Sequence, residues 1–373
     1  MNLYGVNEEA RPPVLRRGWT TGACATAAAR AAYEALLTNT FPDPVAITLP
    51  GGERPEFALA LEEQGADFAR AGIIKDAGDD PDVTHGALIV ATVRHGAQGA
   101  GVVFRAGAGV GMVTRPGLPV EPGEPAINPV PRAMIRSAIA QAASVLGASG
   151  DVEVEISIPG GEKLALRTLN GRLGIIGGLS ILGTTGIVVP YSCAAWIHTI
   201  HRGIDVARAC GLDHVAGATG ATSEAAIRAL HGLSEVALID MGDFVGGMLK
   251  YLRRHLVPKV TIAGGFAKMT KLGQGLLDLH SRRGAVDSDW LAERVLEAGG
   301  DVALSETIKR ANSAMEILGL CRAAGVDIGL AVAEAAFATS AKALGGANIA
   351  LEIAIFDRQG ALVARTPFRA VHS

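Results

Sequence analysis

Asn170-Gly-Arg-Leu-Gly-Ile-Ile-Gly-Gly-Leu-Ser-Ile-Leu-Gly-Thr-Thr-Gly-Ile-Val-Val-Pro-Tyr-Ser192 is the stretch on which the fold turns. No Asp, Glu, Lys or Arg stands between Arg172 and Arg202, a run long enough to raise a membrane span. Its glycines argue otherwise. Gly171, Gly174, Gly177, Gly178, Gly183 and Gly186 precede Pro190, and each costs a helix roughly 1 kcal/mol relative to Ala. The expected reading is buried strand, tight loop, buried strand. Ile175-Ile176 and Ile187-Val188-Val189 are β-branched, as strand interiors prefer. Gly177-Gly178 and Gly183-Thr184-Thr185-Gly186 are loops whose bare N–H groups approach a ligand closely, or else a glycine-rich core crossing without one.

Outward from that stretch, composition narrows the class. With 373 residues, 49% hydrophobic and 19% charged, the chain holds two or three well-filled domains. A net charge of −3 argues against the basic field that bulk nucleic-acid binding needs, and 4% aromatic residues weaken a stacking platform for single strands. Cys24, Cys193, Cys210 and Cys321 form no Cys-x-x-Cys pair, so neither a zinc cage nor a disulfide framework is expected, and a reducing cytoplasm fits. Met1 to Gly18 carries charges and two prolines with no apolar core, unlike a signal peptide.

Before the central stretch, Gly18-Trp19-Thr20-Thr21-Gly22 opens an alanine-rich helix to about Leu37, with Thr20 or Thr21 as its N-cap. Free N–H groups at that start, beside Arg16 and Arg17, suit an anion, or else the helix is plainly capped with no ligand. Val45 to Leu49, the turn Pro50-Gly51-Gly52-Glu53 and Phe57 to Leu61 read as a hairpin. The order recurs: a helix from Pro131 to Leu146, a strand from Val152 to Ile158, the turn Pro159-Gly160-Gly161-Glu162, and a return strand from Leu164 to Thr168. Gly72-Ile73-Ile74 then matches Gly174-Ile175-Ile176, so a duplicated helix–hairpin–strand unit is expected. The duplication sets two loops in equivalent places, an acidic one from Lys75 to Thr84 and the glycine-rich one from Gly177 to Gly186. Asp76, Asp79, Asp80 and Asp82 are open to three roles: metal ligation, hydrogen bonds to a polar ligand such as a ribose, or loop structure alone. Arg115 sits in a further glycine-rich loop, and Arg132 and Arg136 lie one turn apart on the second helix.

Beyond Leu212 the pattern becomes strand–loop–helix. His214-Val-Ala leads into Gly217-Ala-Thr-Gly220, Val236 to Asp240 into Met241-Gly-Asp-Phe-Val-Gly-Gly247, and Lys259 to Ile262 into Ala263-Gly-Gly-Phe266. Three βα units imply a parallel, doubly wound sheet. Asp301 to Leu344 reads as helical, and Ile349 to Arg365 as a hairpin turning at Asp357 to Gly360. The fold class expected is α/β, with an α+β first half. Residues 1–200 form the duplicated domain, and 201–373 a Rossmann-like domain with C-terminal helices and hairpin.

Taken together the motifs resemble the CbiD family of cobalt-precorrin-5B C-1-methyltransferases. The residues that carry it are Thr20-Thr21-Gly22, Asp76-Ala-Gly-Asp-Asp-Pro-Asp-Val-Thr84, Asn128-Pro-Val-Pro-Arg132, Gly171-Arg-Leu-Gly-Ile-Ile-Gly-Gly178, Gly183-Thr-Thr-Gly186, Phe244-Val-Gly246 and His280-Ser-Arg282. The resemblance implies methyl transfer from S-adenosylmethionine to carbon 1 of a ring-contracted corrinoid precursor, cobalt-precorrin-5B, giving cobalt-precorrin-6A in cobalamin biosynthesis. Cobalt then arrives in the substrate, and no protein-bound metal is expected. Donor contacts are expected at Asp76, Asp79, Asp80, Gly177, Gly178, Thr184 and Thr185. The substrate's carboxylates are expected at Arg16, Arg17, Arg115, Arg132 and Arg282, with Thr20 and Thr21 beside them. A sulfonium donor needs no nucleophilic side chain, and His280 is the one candidate for a catalytic group. The partner is the small corrinoid, with neither nucleic acid nor membrane; the oligomer is left open, a homodimer among its forms. Two rival classes stand beside this reading: a metal-dependent enzyme acting on a phosphorylated substrate, and a non-catalytic tetrapyrrole-binding protein.

Overall fold

The stretch from Asn170 to Ser192 is not a helix, and only the end of the charge-free run, from Cys193, enters one. In the computed structural model, which describes residues 15–371, that stretch holds three two-residue strands, β11 (Ile175–Ile176), β12 (Gly178–Leu179) and β13 (Ile187–Val188). Among the described residues no helix is long and apolar enough to cross a membrane. The reading of Met1 to Gly18 lies outside the described residues as far as position 14. The expected burial is only partly met: Ile175, Leu179 and Ile181 are buried, whereas Ile176 and Val189 are about half exposed. Two compact units divide the chain, one holding the residues up to Thr114 together with Pro119–Ser192, the other Arg115–Leu118 with everything from Cys193 on.

In the first unit the order is β1 (Gly18–Trp19), α1 (Thr21–Thr38), β2 (Val45–Ala46), β3 (Glu56–Phe57), β4 (Leu61–Gln64), β5 (Phe68–Ile74), β6 (Leu88–His95), β7 (Val102–Ala106), β8 (Gly109–Val110), β9 (Met112–Val113), α2 (Pro129–Leu146), β10 (Val152–Ser157) and α3 (Gly161–Ala165), before β11 to β13. The main sheet runs β4-β5-β6-β10-β7, antiparallel except between β10 and β7. Strand β10 alternates strictly, burying Val152, Val154 and Ile156 and turning Glu153 and Glu155 outward, as a sheet covered on one face requires. Helix α1 packs on that covered face with α2 against it. Helix α1 is buried nearly all round and is mostly small there; Ala25, Ala28 and Ala32 are fully buried, and Tyr33 is the one large side chain buried with them. Thr20 caps it, its Oγ1 accepting from the Ala23 N–H at 3.1 Å, a cap whose loss to Ala costs about 1 kcal/mol.

The duplication departs from expectation at its second hairpin. Leu164 to Thr168 is not a return strand; α3 takes its place. In the first copy Leu49 donates to Glu53 and Gly52 to Leu49, closing a hairpin in which β2 pairs with β3. In the second, Gly161 lies against the Gly109 backbone, and the following Glu-Lys-Leu-Ala is a good helix former. The two helix starts matched by the repeat, Gly22 and Pro131, lie against each other: a Cβ on Gly22 would stand 2.8 Å from Pro131 Cγ.

The second unit runs α4 (Cys193–Ala209), β14 (His214–Ala218), α5 (Ala221–His231), a short 3-10 turn (Glu235–Ala237), β15 (Leu238–Asp240), α6 (Val245–Leu252), β16 (Lys259–Gly265), α7 (Phe266–Gly273), α8 (Ser288–Glu297), α9 (Val302–Lys309), α10 (Ala314–Ala323), α11 (Ile328–Leu344), β17 (Ala350–Phe356), β18 (Leu362–Arg365) and β19 (Arg369–Ala370). Helix α4 spans positions 200 and 201 and stands whole in this unit. Four strands are parallel in the spatial order β15-β14-β16-β17, with β18 and β19 antiparallel on β17. The first strand in the chain therefore lies between the second and third, which is the doubly wound arrangement. Its two faces are covered unequally. Val215, Val260, Ile262 and Ile353 meet the large core under α4, α6, α7 and α11, while Ala216, Ala263 and Ala354 meet α5 through Ile227.

Candidate functional site

The residues singled out in the sequence fall into three places. In the first unit the N-terminal segment, the acidic loop and the loop after β12 are brought together, and most of their polar groups are engaged with one another. Arg16 pairs its guanidinium with both Asp76 oxygens, donates its backbone N–H to Asp79 Oδ2 at 2.6 Å and accepts from Asp79 N at 3.0 Å. Strand β1 pairs with β13, Trp19 N donates to Asp76 O at 2.7 Å, and Gly18 lies against Ala77 and Gly78. Asp80 accepts from Tyr191 N at 2.8 Å. Lys75 is fully buried and donates to Asp82. The expected anion site at the start of α1 is taken by the protein's own backbone: Gly22 N donates to Leu182 O at 3.0 Å, and the Thr21 hydroxyl exchanges hydrogen bonds with the same residue.

Electrostatics follow from these pairs. The hydrogen bond from Arg16 and that from Gly78 N hold the Asp76 carboxyl down to about 2. For Asp82, burial works to raise its pKa, but the Lys75 charge and hydrogen bond and the two Thr84 donors outweigh it.

The glycine loops separate. Gly178 lies on the backbone of Gly109, paired in parallel, so the space a Cβ would need is taken by protein. Its carbonyl accepts from Asn170 Nδ2 at 3.0 Å. Gly177, at φ +88°, faces open space. Thr184 and Thr185 are exposed, and the Thr185 hydroxyl bonds Ile187 in a local turn. Arg17 is exposed, and Arg115 belongs to the segment that sorts with the second unit.

Arg132 lines a different place, an open groove of about 440 Å³ along β7, the edge strand of the main sheet, with Phe104, Arg105, Met112, Glu124 and Arg136. Its guanidinium bonds Glu124 and the carbonyls of Ile127 and Pro125.

In the second unit His280 and Arg282 lie in an exposed turn, where His280 Nδ1 accepts from Arg282 N at 3.2 Å and Asp278 accepts from His280 N. That arrangement is local turn-making. The sequence reading placed no donor contact in the crevice at the carboxyl ends of β14 and β16, where the strand order reverses and doubly wound sheets take their ligands. Gly220 and Gly265 cap α5 and α7 there without any side-chain hydrogen bond, and a Cβ on either would meet nothing within 4 Å. Thr219 stands between them, against Gly264. Asp240 closes the neighbouring β15, twenty positions after Gly220, the place where a carboxylate meets a ribose in nucleotide-binding βαβ units. A glycine-bearing loop between each of two predicted strands and the helix after it was the available signal. Among the described residues no three His, Cys, Asp or Glu side chains gather in a group suited to a metal ion.

Two family models match the chain, one described as CbiD over residues 8–190 and one as the CbiD C-terminal domain over residues 278–367. A Bradyrhizobium protein named cobalt-precorrin-5B C(1)-methyltransferase is 65% identical over 94% of this chain and 93% of its own length. Namesakes from Methylorubrum extorquens and Agrobacterium fabrum are 65% and 62% identical, over 94% and 96% of this chain and 97% and 94% of theirs. A crystal structure of a cobalamin biosynthesis protein (cbiD) from Archaeoglobus fulgidus is 30% identical, with a TM-score of 0.39 over 72% of this chain and 83% of that one.

Proposed function

The chain belongs to the CbiD family, and from that premise we propose that it transfers a methyl group from S-adenosylmethionine to carbon 1 of cobalt-precorrin-5B, a step of cobalamin biosynthesis. The observation that carries the reading is the near-full-length identity to relatives of that name. The crevice at the ends of β14 and β16 is assigned to the donor. Its residues fit a nucleoside: two glycines that leave space, two helix starts with no side-chain cap, the Thr219 hydroxyl and the Asp240 carboxylate. Bound there, S-adenosylmethionine supplies a methyl group already activated by its sulfonium.

This chain's work is then alignment and exclusion of water. The bare backbone at Gly220 and Gly265 admits the donor closely, and Asp240 holds ribose hydroxyls and so fixes its register. Holding two reactants in line lowers a barrier by roughly 7–11 kcal/mol in favourable cases, so no nucleophilic or acid–base side chain is needed.

Gly220→Val and Gly265→Val test the assignment. Gly220 has extended backbone and Gly265 a φ of −71°, so a side chain is conformationally allowed at both. Loss of a favourable cap residue costs about 1 kcal/mol, too little to unfold the unit. Calorimetry with S-adenosylhomocysteine is expected to show at least tenfold weaker binding for each variant, with the melting temperature lowered by no more than a few degrees. Wild-type affinity in both would place the donor elsewhere, and absence of methyl transfer to the corrinoid by the wild-type chain would overturn the function.

A further inference from the structure

The groove along β7 carries more positive charge than its surroundings balance. Arg132 and Arg136 lie one turn apart on α2, and both guanidiniums sit over the Phe104 ring, at 5.2 and 5.0 Å from its centroid. Like charges so placed repel, and the ring face holds them by its quadrupole. Glu124 answers Arg132 at 3.0 Å, but Arg136 is exposed and no described carboxylate lies within ion-pair distance of it. Arg105 follows Phe104 on the edge strand, so it turns to the uncovered face of the sheet, where it pairs with Glu153 at 2.9 Å. On the face that α2 covers, two guanidiniums thus meet one carboxylate.

Beside them lies an apolar ledge. Met112 and Ile176 are direct partners across β9 and β11, so their side chains share a face, and they are 36% and 55% exposed. Gly177 follows with open space where a side chain would stand. An apolar shelf rimmed by guanidiniums complements a ligand that is flat and apolar in the middle and carboxylated at its edge.

We infer that this groove is a binding site for the carboxylate-bearing edge of the tetrapyrrole substrate, with Arg136 as its anion contact and Met112 and Ile176 under the ring. The inference rests on the proposed function for the identity of the ligand, and on the groove itself for its chemistry. Arg132 is the fixed member, tied to the Ile127 and Pro125 carbonyls, and Phe104 keeps Arg136 in place while it is unliganded.

The probe is dicyanocobyrinic acid, whose peripheral side chains end in free carboxylates, titrated by calorimetry against its permethyl ester. The full chain is expected to bind the acid at least tenfold more tightly than the ester. Arg136→Met is expected to weaken acid binding about tenfold, with no change for the ester and unchanged melting, since the side chain is exposed. Arg54→Met, at an exposed position of the same unit, serves as the control for net charge and is expected to bind as wild type does. Equal binding of acid and ester, wild-type acid affinity in Arg136→Met, or the same loss in Arg54→Met would each overturn the inference. A chain that discriminates acid from ester through Arg136 yet transfers no methyl group would sink the proposed function and leave the groove standing.

Discussion

Lys75 Nζ lies 2.5 Å from an Asp82 carboxylate oxygen while the lysine side chain is only 1% exposed and that of Asp82 26%. The two ends of this pair are therefore unequal. Asp82→Asn strands a buried ammonium and is expected to cost about 3–5 kcal/mol, the range for removing one partner of a buried pair. Lys75→Met fills the same volume, and the carboxylate left behind keeps both Thr84 donors and some access to water, so it is expected to cost less. Urea unfolding of the two variants ranks them; equal losses would contradict the asymmetry.

The same pair sets part of the acid limit. Asp82 and Asp76 both have carboxyls held below the ordinary value, Asp76 at about 2 through its hydrogen bond from Arg16. A depressed carboxyl contributes stability above its unfolded pKa of about 4 and loses it as pH falls through the folded value. Melting temperature is expected to drop between about pH 4 and pH 2, and Asp82→Asn to flatten that slope.

A second titration acts higher on the scale, in the second unit. Burial first, then His231 and Lys259, push the His214 imidazole down to about 4, with Asp213 pulling the other way. Thr261 Oγ1 donates to the buried Glu352 at 2.8 Å, so it accepts from His214 Nε2, while His231 Nε2 meets the same Glu352 oxygen and Phe368 closes the cluster edge-on. A group kept neutral in the fold contributes fully above its unfolded pKa of about 6.5 and loses that contribution as pH falls toward 4. His214→Gln keeps a donor for Thr261 and removes the titration, so its melting temperature should vary less between pH 6.5 and pH 4 than that of wild type. An unchanged slope would assign the effect to another group.

Gly178 separates two uses of glycine. Its missing Cβ makes room for the Gly109 backbone, and Gly178→Val is expected to unfold the first unit or leave it insoluble, as circular dichroism will read. Gly177→Ala meets no atom and is strained only by its positive φ, so it should fold with a loss of about 1 kcal/mol. A folded, stable Gly178→Val protein would contradict the packing described.

Those glycines also mark how far the sequence reads. Thr20 and the alanines after it foretell α1 because cap and propensity are local, and the βα units after Leu212 foretell the parallel sheet because strand, glycine and helix follow one another. Pro159-Gly160-Gly161-Glu162 misleads because its fate is non-local: Gly109, some fifty positions earlier in the chain, packs on Gly161 and turns the chain into α3. The acidic cluster is visible as a cluster, but its partners are not, since Arg16 stands 60 positions from Asp76 and Tyr191 111 positions from Asp80. Arg132 is legible as a cation, whereas the Phe104 face that gathers it with Arg136 appears only once β7 meets α2.

Cysteine chemistry divides two and two. Cys24 and Cys321 are buried, with burial raising their thiols to about 12 and about 11, and Cys193 and Cys210 are exposed. Because the thiolate is the reactive form, the native chain should titrate two thiols with Ellman's reagent near pH 8, and four after denaturation. Rapid modification of Cys24 in the native state would show that α1 opens from the core.

The acidic loop and the second unit's crevice make opposite demands on donor binding. Asp79 accepts from the Arg16 backbone and Asp80 from that of Tyr191, so both hold the loop to its own chain. Asn at either position keeps an acceptor oxygen and loses only the charge-assisted part of one exposed hydrogen bond, well under about 1 kcal/mol. Asp79→Asn and Asp80→Asn should therefore melt within a few degrees of wild type and bind S-adenosylhomocysteine unchanged. Asp240→Asn should weaken that binding about tenfold or more, the loss expected when a carboxylate no longer receives a ribose hydroxyl. If Asp79→Asn or Asp80→Asn loses tenfold while Asp240→Asn binds normally, the donor lies against the acidic loop of the first unit, and the assignment of the crevice to it fails.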